Sequence, residues 1–134
     1  MKKLIKLIKE ARFVFICGNG GSASTAEHFS CDLFSKGVKA ICLNSNASIM
    51  TMIANDYPPD TVFGMQIGKY ATSEDLLITI SCSGTSPNIV NALSVAKIMG
   101  IPTYQFKSFG KGKRDYEKLE DEHLKFCHQI KKLL

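Results

Sequence analysis

Residues 13–23 read FVFICGNGGSA, an unbroken apolar run that passes directly into a glycine-rich turn. Apolar runs without alternation are typical of strands that are covered on both faces, as in a parallel sheet. The glycines allow backbone N–H groups to approach a ligand, and the N-terminus of a helix that follows them attracts anions. We therefore predict a strand over 13–17, a ligand-binding turn after it, and a helix that begins at Ser22.

The rest of the chain repeats this alternation of buried strands and helices. Further apolar runs cover residues 40–43, 76–80 and 103–106. The clearest helix has Ser86 as its cap and Pro87 at its first position, and it stops at Gly100. Amphipathic patterns predict one more helix at each end of the chain, and the stretch 107–113, rich in glycine and lysine, predicts a mobile loop. Together these features predict a three-layer α/β/α domain with a Rossmann-like parallel sheet of four to five strands.

Length and composition limit the functions that the chain can have. It has 134 residues, of which 45% are hydrophobic, and these values predict one domain over residues 1–134. The formal net charge is +5, but the basic residues gather at the chain ends instead of alternating with aromatic residues, which disfavours nucleic acid as a partner. No apolar run reaches the ~20 residues of a membrane span, so we expect no membrane partner. The five cysteines form no C-x-x-C pair, which predicts a reducing, cytoplasmic location.

The first turn has the formal pattern G-x-G-x-x-A, which also occurs in dinucleotide-binding folds. Those folds place an acidic residue after the second strand to hold the ribose, whereas here Leu43 is followed by Asn44. No G-K-[ST] follows the glycines, so a P-loop is excluded. We therefore predict that no nucleotide cofactor is bound.

A second unusual turn follows the third strand and reads SCSGTSP over residues 81–87. Its four hydroxyl groups and the helix N-terminus behind them can satisfy the oxygens of a phosphate without a lysine. The alternative is a hydroxyl-rich helix cap that binds no ligand. Because ligands bind beyond the carboxyl ends of parallel strands, the presence of two such turns favours a phosphorylated metabolite over a simple cap.

Four segments, in this order and spacing, resemble a known family. They read GNGGSA over 18–23, EHF over 27–29, NDY over 55–57 and SCSGTSPN over 81–88. By these segments the chain is identified as a member of the SIS (sugar isomerase) domain family, most similar to the phosphoheptose isomerases. The resemblance implies an enzyme that interconverts sedoheptulose 7-phosphate and D-glycero-D-manno-heptose 7-phosphate through an enediol. The alternative is a non-catalytic SIS module that binds phosphosugars or another protein, such as a replication initiator.

The resemblance also implies an acid/base pair. His28 and Asp32 lie four residues apart on one predicted helix, hence on one face. Without the resemblance, the alternative would be favoured, in which His28 is packed in the core and Asp32 is solvated. By position, Asp32 is the catalytic base, where the family has glutamate, and His128 is the second acid/base group. Some members bind zinc at a site that matches His28, Asp32, Glu120 and His128. Glu120 and His128 are eight residues apart, about 12 Å along a helix, so either Glu120 precedes the helix or a neighbouring subunit contributes.

The substrate-binding residues that the resemblance implies lie in and around the two turns. They are Asn19, Gly20, Gly21, Ser22, Asp56, Ser81, Cys82, Ser83, Thr85, Ser86 and Glu120. The family often has threonine in place of Cys82, and a thiol is the weaker hydrogen-bond donor. The implied partners are a sugar phosphate and further copies of the chain, since the family assembles its sites between the subunits of a homotetramer. We expect the remaining histidine of the last helix, His123, to be exposed.

Overall fold

A parallel sheet forms the centre of the computed structural model of the chain, which describes residues 1–109 and 114–134. Its strands are β1 (Val14–Gly18), β2 (Ala40–Cys42), β3 (Leu76–Ile80) and β4 (Thr103–Gln105). They pair in the order β2-β1-β3-β4. The helices are α1 (Lys2–Glu10), α2 (Gly21–Phe34), α3 (Ala47–Asp56), α4 (Val62–Tyr70), α5 (Pro87–Ile98) and α6 (Tyr116–Leu133), with a 3₁₀ turn at Pro59–Thr61. Of the loop predicted over 107–113, residues 110–113 lie outside the described part of the chain.

Helices cover both faces of this sheet, as the unbroken apolar runs require. All residues of β1 and of β3 are buried. Successive side chains of β1 point to opposite faces, so Val14 and Ile16 join a core with α1, α2 and α6. Phe15 and Cys17 join a second core with α3, α4 and α5. The predicted three-layer α/β/α architecture, with four parallel strands, is therefore confirmed.

The cysteines contribute to these cores as single thiols. Cys17, Cys42, Cys82 and Cys127 are buried, Cys31 is exposed, and all five are free. Burial raises the pKa of the Cys127 thiol to about 12, with a further rise from the nearby Asp32 carboxylate. Among the described residues, no helix combines the length and the apolar character that crossing a bilayer requires.

Asp75 ties the start of β3 to the start of β1. Its buried carboxylate accepts hydrogen bonds from Arg12 Nε and Nη2 at 3.1 and 2.9 Å, and from the backbone N–H groups of Phe13 and Thr72 at 3.0 and 2.7 Å. Burial opposes ionisation of this carboxyl, but the Arg12 guanidinium and the two N–H groups outweigh burial and hold the pKa of Asp75 below its ordinary value. Asp75 thereby helps to fix the alignment of the two strands whose other ends carry the predicted turns.

We expect Asp75→Asn to lower the free energy of unfolding by about 2 kcal/mol at neutral pH, because an amide cannot replace the charged acceptor. The folded-state pKa of Asp75 lies below the unfolded value of about 4. Its contribution is therefore complete above that pH and is lost as the pH falls through the folded-state pKa. Urea unfolding at several pH values measures the effect, with the exposed Asp121→Asn as the control. A difference between wild type and Asp75→Asn that stays constant far below pH 4 would contradict this account.

Candidate active site

A cavity of about 300 Å³ opens where the two predicted turns leave the sheet. β1 and β3 are neighbours and pair in register up to Gly18 with Ile80, so their carboxyl ends lie side by side. The cavity is lined by Asn19, Gly20, Gly21, Ser22, Ser81, Cys82, Ser83, Ser86, Tyr116 and Glu120. All of these except Tyr116 belong to the substrate-binding set predicted from the sequence.

In the serine turn, residues 81–87, three hydroxyl groups lie close together on the cavity wall. Ser81 Oγ accepts a hydrogen bond from the N–H of Gly84 at 3.0 Å. Ser83 Oγ lies 3.4 Å from Ser81 Oγ and 3.3 Å from Ser86 Oγ. Ser86 is the N-cap residue of α5 and precedes Pro87, as predicted, but its side chain makes no capping hydrogen bond to the helix. The Ser86 hydroxyl is therefore free of the helix and can serve a bound anion.

The glycine turn, residues 18–22, is held by two asparagine side chains. Asn44 Oδ1 accepts from the N–H of Gly18 at 3.2 Å, and Asn44 Nδ2 donates to the carbonyl oxygen of Gly18 at 2.9 Å. Asn19 and Asn88 exchange two amide hydrogen bonds of 2.9 Å, which tie this turn to α5. A Cβ at Gly18 would lie 2.9 Å from the carbonyl oxygen of Ile80. The glycine turn therefore lies closer to the end of β3 than a side chain at position 18 would allow.

Glu120 reaches the cavity from α6 and lies against the start of α2. A Cβ at Gly21 would lie 2.5 Å from Cδ and from both carboxylate oxygens of Glu120. The missing side chain at Gly21 is therefore what makes room for the carboxylate. Tyr116, one helical turn before Glu120, adds an aromatic ring to the same wall.

Cys82 lines the cavity as a neutral group. Burial raises the pKa of its thiol, while Ser22 acts to lower that pKa and the Glu120 carboxylate to raise it, with a net rise. At neutral pH no thiolate therefore opposes an anion here, and the serine hydroxyls and backbone N–H groups remain the donors.

The helices α2 and α6 pack side by side and run in the same direction away from the cavity. Three contacts define this pairing: Gly21 with Glu120, His28 with His128, and Asp32 with Lys131. His28 lies seven residues, about 10 Å of helix, beyond Gly21. Since side chains lean toward the N-terminus of their helix, those of His28 and His128 lean back toward the cavity.

His28, Asp32 and His128 form one cluster. Nε2 of His28 lies 3.0 Å from Nε2 of His128 and 3.4 Å from Oδ2 of Asp32. Lys131 Nζ donates to Oδ1 of Asp32 at 2.6 Å. Asp32 is only 4% exposed, whereas both histidines are exposed; the pair is thus neither a packed histidine nor a solvated aspartate. Oδ2 of Asp32 has no hydrogen-bond partner among the described residues, and such a buried oxygen is ready to accept a proton or a cation.

The cluster fits a divalent metal ion. One ligand atom from each of the three residues lies within 4.8 Å of the others. The single proton of a neutral His28 ring cannot serve both Asp32 and His128, and two imidazoles with one carboxylate are a donor set that zinc accepts. Glu120 was also predicted as a ligand; within one chain it does not join this cluster of three, and its role as a ligand stays a prediction. It lies on α6 two turns before His128 and contacts Gly21 instead.

Two residues of the predicted substrate set are not part of the cavity wall. Asp56 ends α3, is exposed, and accepts a hydrogen bond from Asn55 Nδ2 at 2.7 Å. Thr85 is exposed in the serine turn, and its N–H donates to Ser83 Oγ at 3.3 Å. The structure therefore places Thr85 beside Ser83 in the serine turn and Asp56 at the end of α3, and the substrate-binding role of both stays a prediction.

His123 is buried, so the prediction that it is exposed is wrong. Its Nε2 lies 2.7 Å from the carbonyl oxygen of Lys107, and its ring packs edge-on against Phe106 at a centroid distance of 5.4 Å. Because a carbonyl can only accept, the proton of His123 is on Nε2. The signal for burial was present in the sequence, since Leu119, His123 and Cys127 follow one another at four-residue spacing on one helix face.

The fold and the paired turns define a class of protein, the SIS domain proteins. The model of the SIS domain family matches residues 1–108, which include all four strands and both turns; α6 follows this stretch. Membership of this family, predicted above from four short segments, is confirmed.

Curated relatives narrow the class. The chain is 34% identical to the phosphoheptose isomerase of Aliarcobacter butzleri, in an alignment that covers 96% of this chain and 78% of the relative. It is 40% identical to the phosphoheptose isomerase of Helicobacter pylori, strain P12, over 82% of this chain and 60% of the relative. The chain belongs to the phosphoheptose isomerase family.

Solved structures show the same fold. The phosphoheptose isomerase of Neisseria gonorrhoeae superposes with a TM-score of 0.90 over 98% of this chain and 80% of that one, at 23% identity. The enzyme of the same name from Francisella tularensis superposes with a TM-score of 0.87 at 21% identity. At such identities the likeness establishes the fold alone, and it extends over α6 as well as the sheet.

Proposed function

We propose that the chain is an aldose–ketose isomerase that interconverts sedoheptulose 7-phosphate and D-glycero-D-manno-heptose 7-phosphate. The observation that carries the proposal is a hydroxyl-lined cavity joined to a His/Asp cluster by one pair of parallel helices. The reaction needs an anion site for the phosphate and, at the other end of the substrate, a base at carbon and a proton donor at oxygen. The shared name of the relatives supports the same reaction.

The phosphate would bind at the serine turn. Ser81, Ser83 and Ser86 offer hydroxyl groups, and the N-terminus of α5 behind them favours an anion. Neutral donors of this kind hold a phosphate through hydrogen bonds while leaving its charge in place. Such binding suits a group that anchors the substrate and takes no part in the reaction.

Asp32 and His128 would carry the proton transfers. The base removes a proton from the carbon beside the carbonyl group, and the resulting enediol receives a proton at the neighbouring carbon. Asp32 offers Oδ2, which is buried and accepts no hydrogen bond from the described residues, and His128 offers an exposed ring that can exchange a proton with a substrate oxygen. Nε2 of His28 lies 3.4 Å from Asp32 and 3.0 Å from His128, so His28 would hold the two groups close to one point.

The separation of the two parts suits a long substrate. About 10 Å of α2 lies between Gly21, at the cavity, and His28, in the cluster. A seven-carbon chain that carries its phosphate on the last carbon keeps its carbonyl end far from that phosphate. A three-carbon sugar phosphate would not reach both parts at once, so this distance favours a substrate of the proposed length.

Zinc is the metal that we propose for the cluster, held by His28, Asp32 and His128. A bound zinc ion would polarise the oxygens at the reacting end of the substrate as a Lewis acid. Two observations support this assignment: Oδ2 of Asp32 accepts no hydrogen bond from the described residues, and three ligand atoms converge. Glu120 is left out of the ligand set because of its contact with Gly21.

We also propose that residues 1–134 act as one domain and that copies of it associate, with the homotetramer as the expected assembly. The packing of α6 along α2, beyond the matched stretch 1–108, supports a single domain. Phe34 is 76% exposed and Ile98 is 83% exposed, and association would cover such apolar groups. Light scattering coupled to gel filtration measures the number of chains in the assembly. The cytoplasmic location of the protein stays a prediction.

The test of the proposed function is an isomerisation assay of the purified chain with sedoheptulose 7-phosphate. NMR follows the aldose product, in parallel samples with added zinc and with a chelator. Formation of the heptose 7-phosphate supports the isomerase. Calorimetric binding of the sugar phosphate without any product would instead indicate a non-catalytic SIS module and would overturn the proposed reaction.

We expect Ser83→Ala to raise KM by about tenfold, the value of one hydrogen bond to a charged group, and to change kcat little. The reason is that the phosphate is bound equally in the ground state and in the transition state. Loss of one hydrogen bond to it therefore weakens substrate binding without slowing the chemical step. Steady-state kinetics with the NMR assay measures both constants. The control is Ser73→Ala, an exposed serine before β3, far from the serine turn. A fall in kcat at unchanged KM would place Ser83 outside the phosphate site.

A further inference from the structure

Glu120 brings a negative charge of the chain itself into the cavity. Its carboxylate lies against Gly21, the first residue of the 14-residue helix α2. The first turn of a helix carries partial positive charge and stabilises a nearby anion. Two helix N-termini face the cavity, and the N-terminus of α2 already has an anion beside it, the Glu120 carboxylate.

The other N-terminus is left for the ligand. At α5 the hydroxyl groups of Ser81, Ser83 and Ser86 follow one another at 3.4 and 3.3 Å, and Ser86 does not cap the helix. A phosphate held there shares a cavity of about 300 Å³ with the Glu120 carboxylate. The two like charges repel each other, whereas a carboxylate, which is only an acceptor, attracts hydroxyl groups.

We propose that Glu120 is a specificity residue that selects phosphate esters of polyols over free inorganic anions. The inference rests on the proposed function, since it takes a sugar phosphate as the natural ligand of the cavity. In such a ligand, hydroxyl groups near the ester donate to the carboxylate oxygens of Glu120 and offset its repulsion of the phosphate. Orthophosphate meets the same repulsion and has no polyol chain to offset it.

The experiment compares two ligands by calorimetry. The first is heptitol 7-phosphate, made by borohydride reduction of sedoheptulose 7-phosphate, which keeps the polyol and the phosphate but cannot be isomerised. The second is orthophosphate. The proteins are wild type, Glu120→Gln and, as the matched control, Glu117→Gln, an exposed position one turn earlier on α6. Gly21→Ala is a further variant, because its Cβ would displace the carboxylate without removing it.

Glu120→Gln should bind orthophosphate about tenfold more tightly than wild type, as expected for the loss of one nearby negative charge. Its affinity for heptitol 7-phosphate should stay the same or fall, so that discrimination between the ligands drops by about tenfold or more. Gly21→Ala should shift discrimination in the same direction, and Glu117→Gln should leave it unchanged. Equal shifts for both ligands, or an unchanged affinity for orthophosphate, would overturn the role of Glu120.

The proposed function fails separately from this inference. If wild type does not isomerise sedoheptulose 7-phosphate but Glu120→Gln loses discrimination as described, the isomerase is overturned and the selectivity stands. If wild type isomerises the sugar but discriminates no better than Glu120→Gln, the selectivity is overturned and the isomerase stands. A wild type that binds neither ligand would overturn both.

Discussion

Asp32→Asn is expected to lower kcat by about a thousandfold, within the range that loss of a general base produces. An amide cannot take the proton that the carboxylate would remove from the substrate carbon. Asparagine has the shape of aspartate, and the partner that it leaves, Lys131, is 38% exposed and can be solvated. We therefore expect the variant to fold and to bind heptitol 7-phosphate as wild type does. The NMR assay and calorimetry measure the two properties, with Asp121→Asn as the control.

The two readouts separate the roles of Asp32. Turnover retained in Asp32→Asn would remove this carboxylate from the mechanism, whatever the fold. A variant that loses binding and melts at a much lower temperature would show instead that the contact with Lys131 holds α2 and α6 together. Loss of turnover with intact binding agrees with a catalytic base or a zinc ligand, and the zinc affinity of Asp32→Asn separates these two roles.

His128→Ala is the second change from which we expect a large effect, a fall in kcat of about 10²- to 10⁴-fold. The variant loses an acid/base group, and it also loses one of the three ligand atoms of the cluster. We therefore expect zinc affinity, measured by competition with a chromogenic chelator, to fall together with kcat. The neighbouring exposed residue gives the control Gln129→Ala.

Comparison of activity and metal binding decides between the roles of His128. A variant that keeps wild-type zinc affinity but loses turnover would make His128 an acid/base group and not a ligand. A variant that keeps its turnover, at any zinc concentration, would contradict the mechanism proposed for this residue. Glu120, where α6 lines the cavity that would hold the phosphate, lies about 12 Å along the helix from His128, so binding of orthophosphate should be unaffected.

Local sequence pattern was sufficient to predict the sheet and both turns. Buried parallel strands have an unbroken apolar run as their signature, and β1 and β3 show it completely. The turns were recognisable because glycine and serine there serve backbone geometry and hydrogen bonding, which are local properties. The sequence singled out Asn44 only because a dinucleotide-binding fold would have an acidic residue at that position. Its two hydrogen bonds to Gly18 could not be predicted, because they depend on the pairing of β1 with β2.

The contacts between helices could not be predicted in the same way. Lys131 looks like any lysine of an amphipathic helix, and its hydrogen bond to Asp32 exists only because α6 packs beside α2 in one particular register. The same register carries Glu120 to Gly21 and away from the metal cluster. The spacing of His123 with Leu119 and Cys127 did indicate a buried face, but its partner, the carbonyl oxygen of Lys107, belongs to another segment and could not be predicted.

The pairing of α2 with α6 also has a consequence for the order of events during synthesis of the chain. His28 and His128 are 100 positions apart in sequence. During synthesis on the ribosome, His28 therefore cannot contact His128 until nearly the whole described chain has emerged. The sheet and the two turns can form earlier, since β4 ends at Gln105. Under the proposed function, the nascent protein would therefore pass through a stage that has the serine turn for a phosphate but has only Asp32 of its acid/base pair. Under the same proposal, docking of the last helix would be the step that completes the acid/base pair.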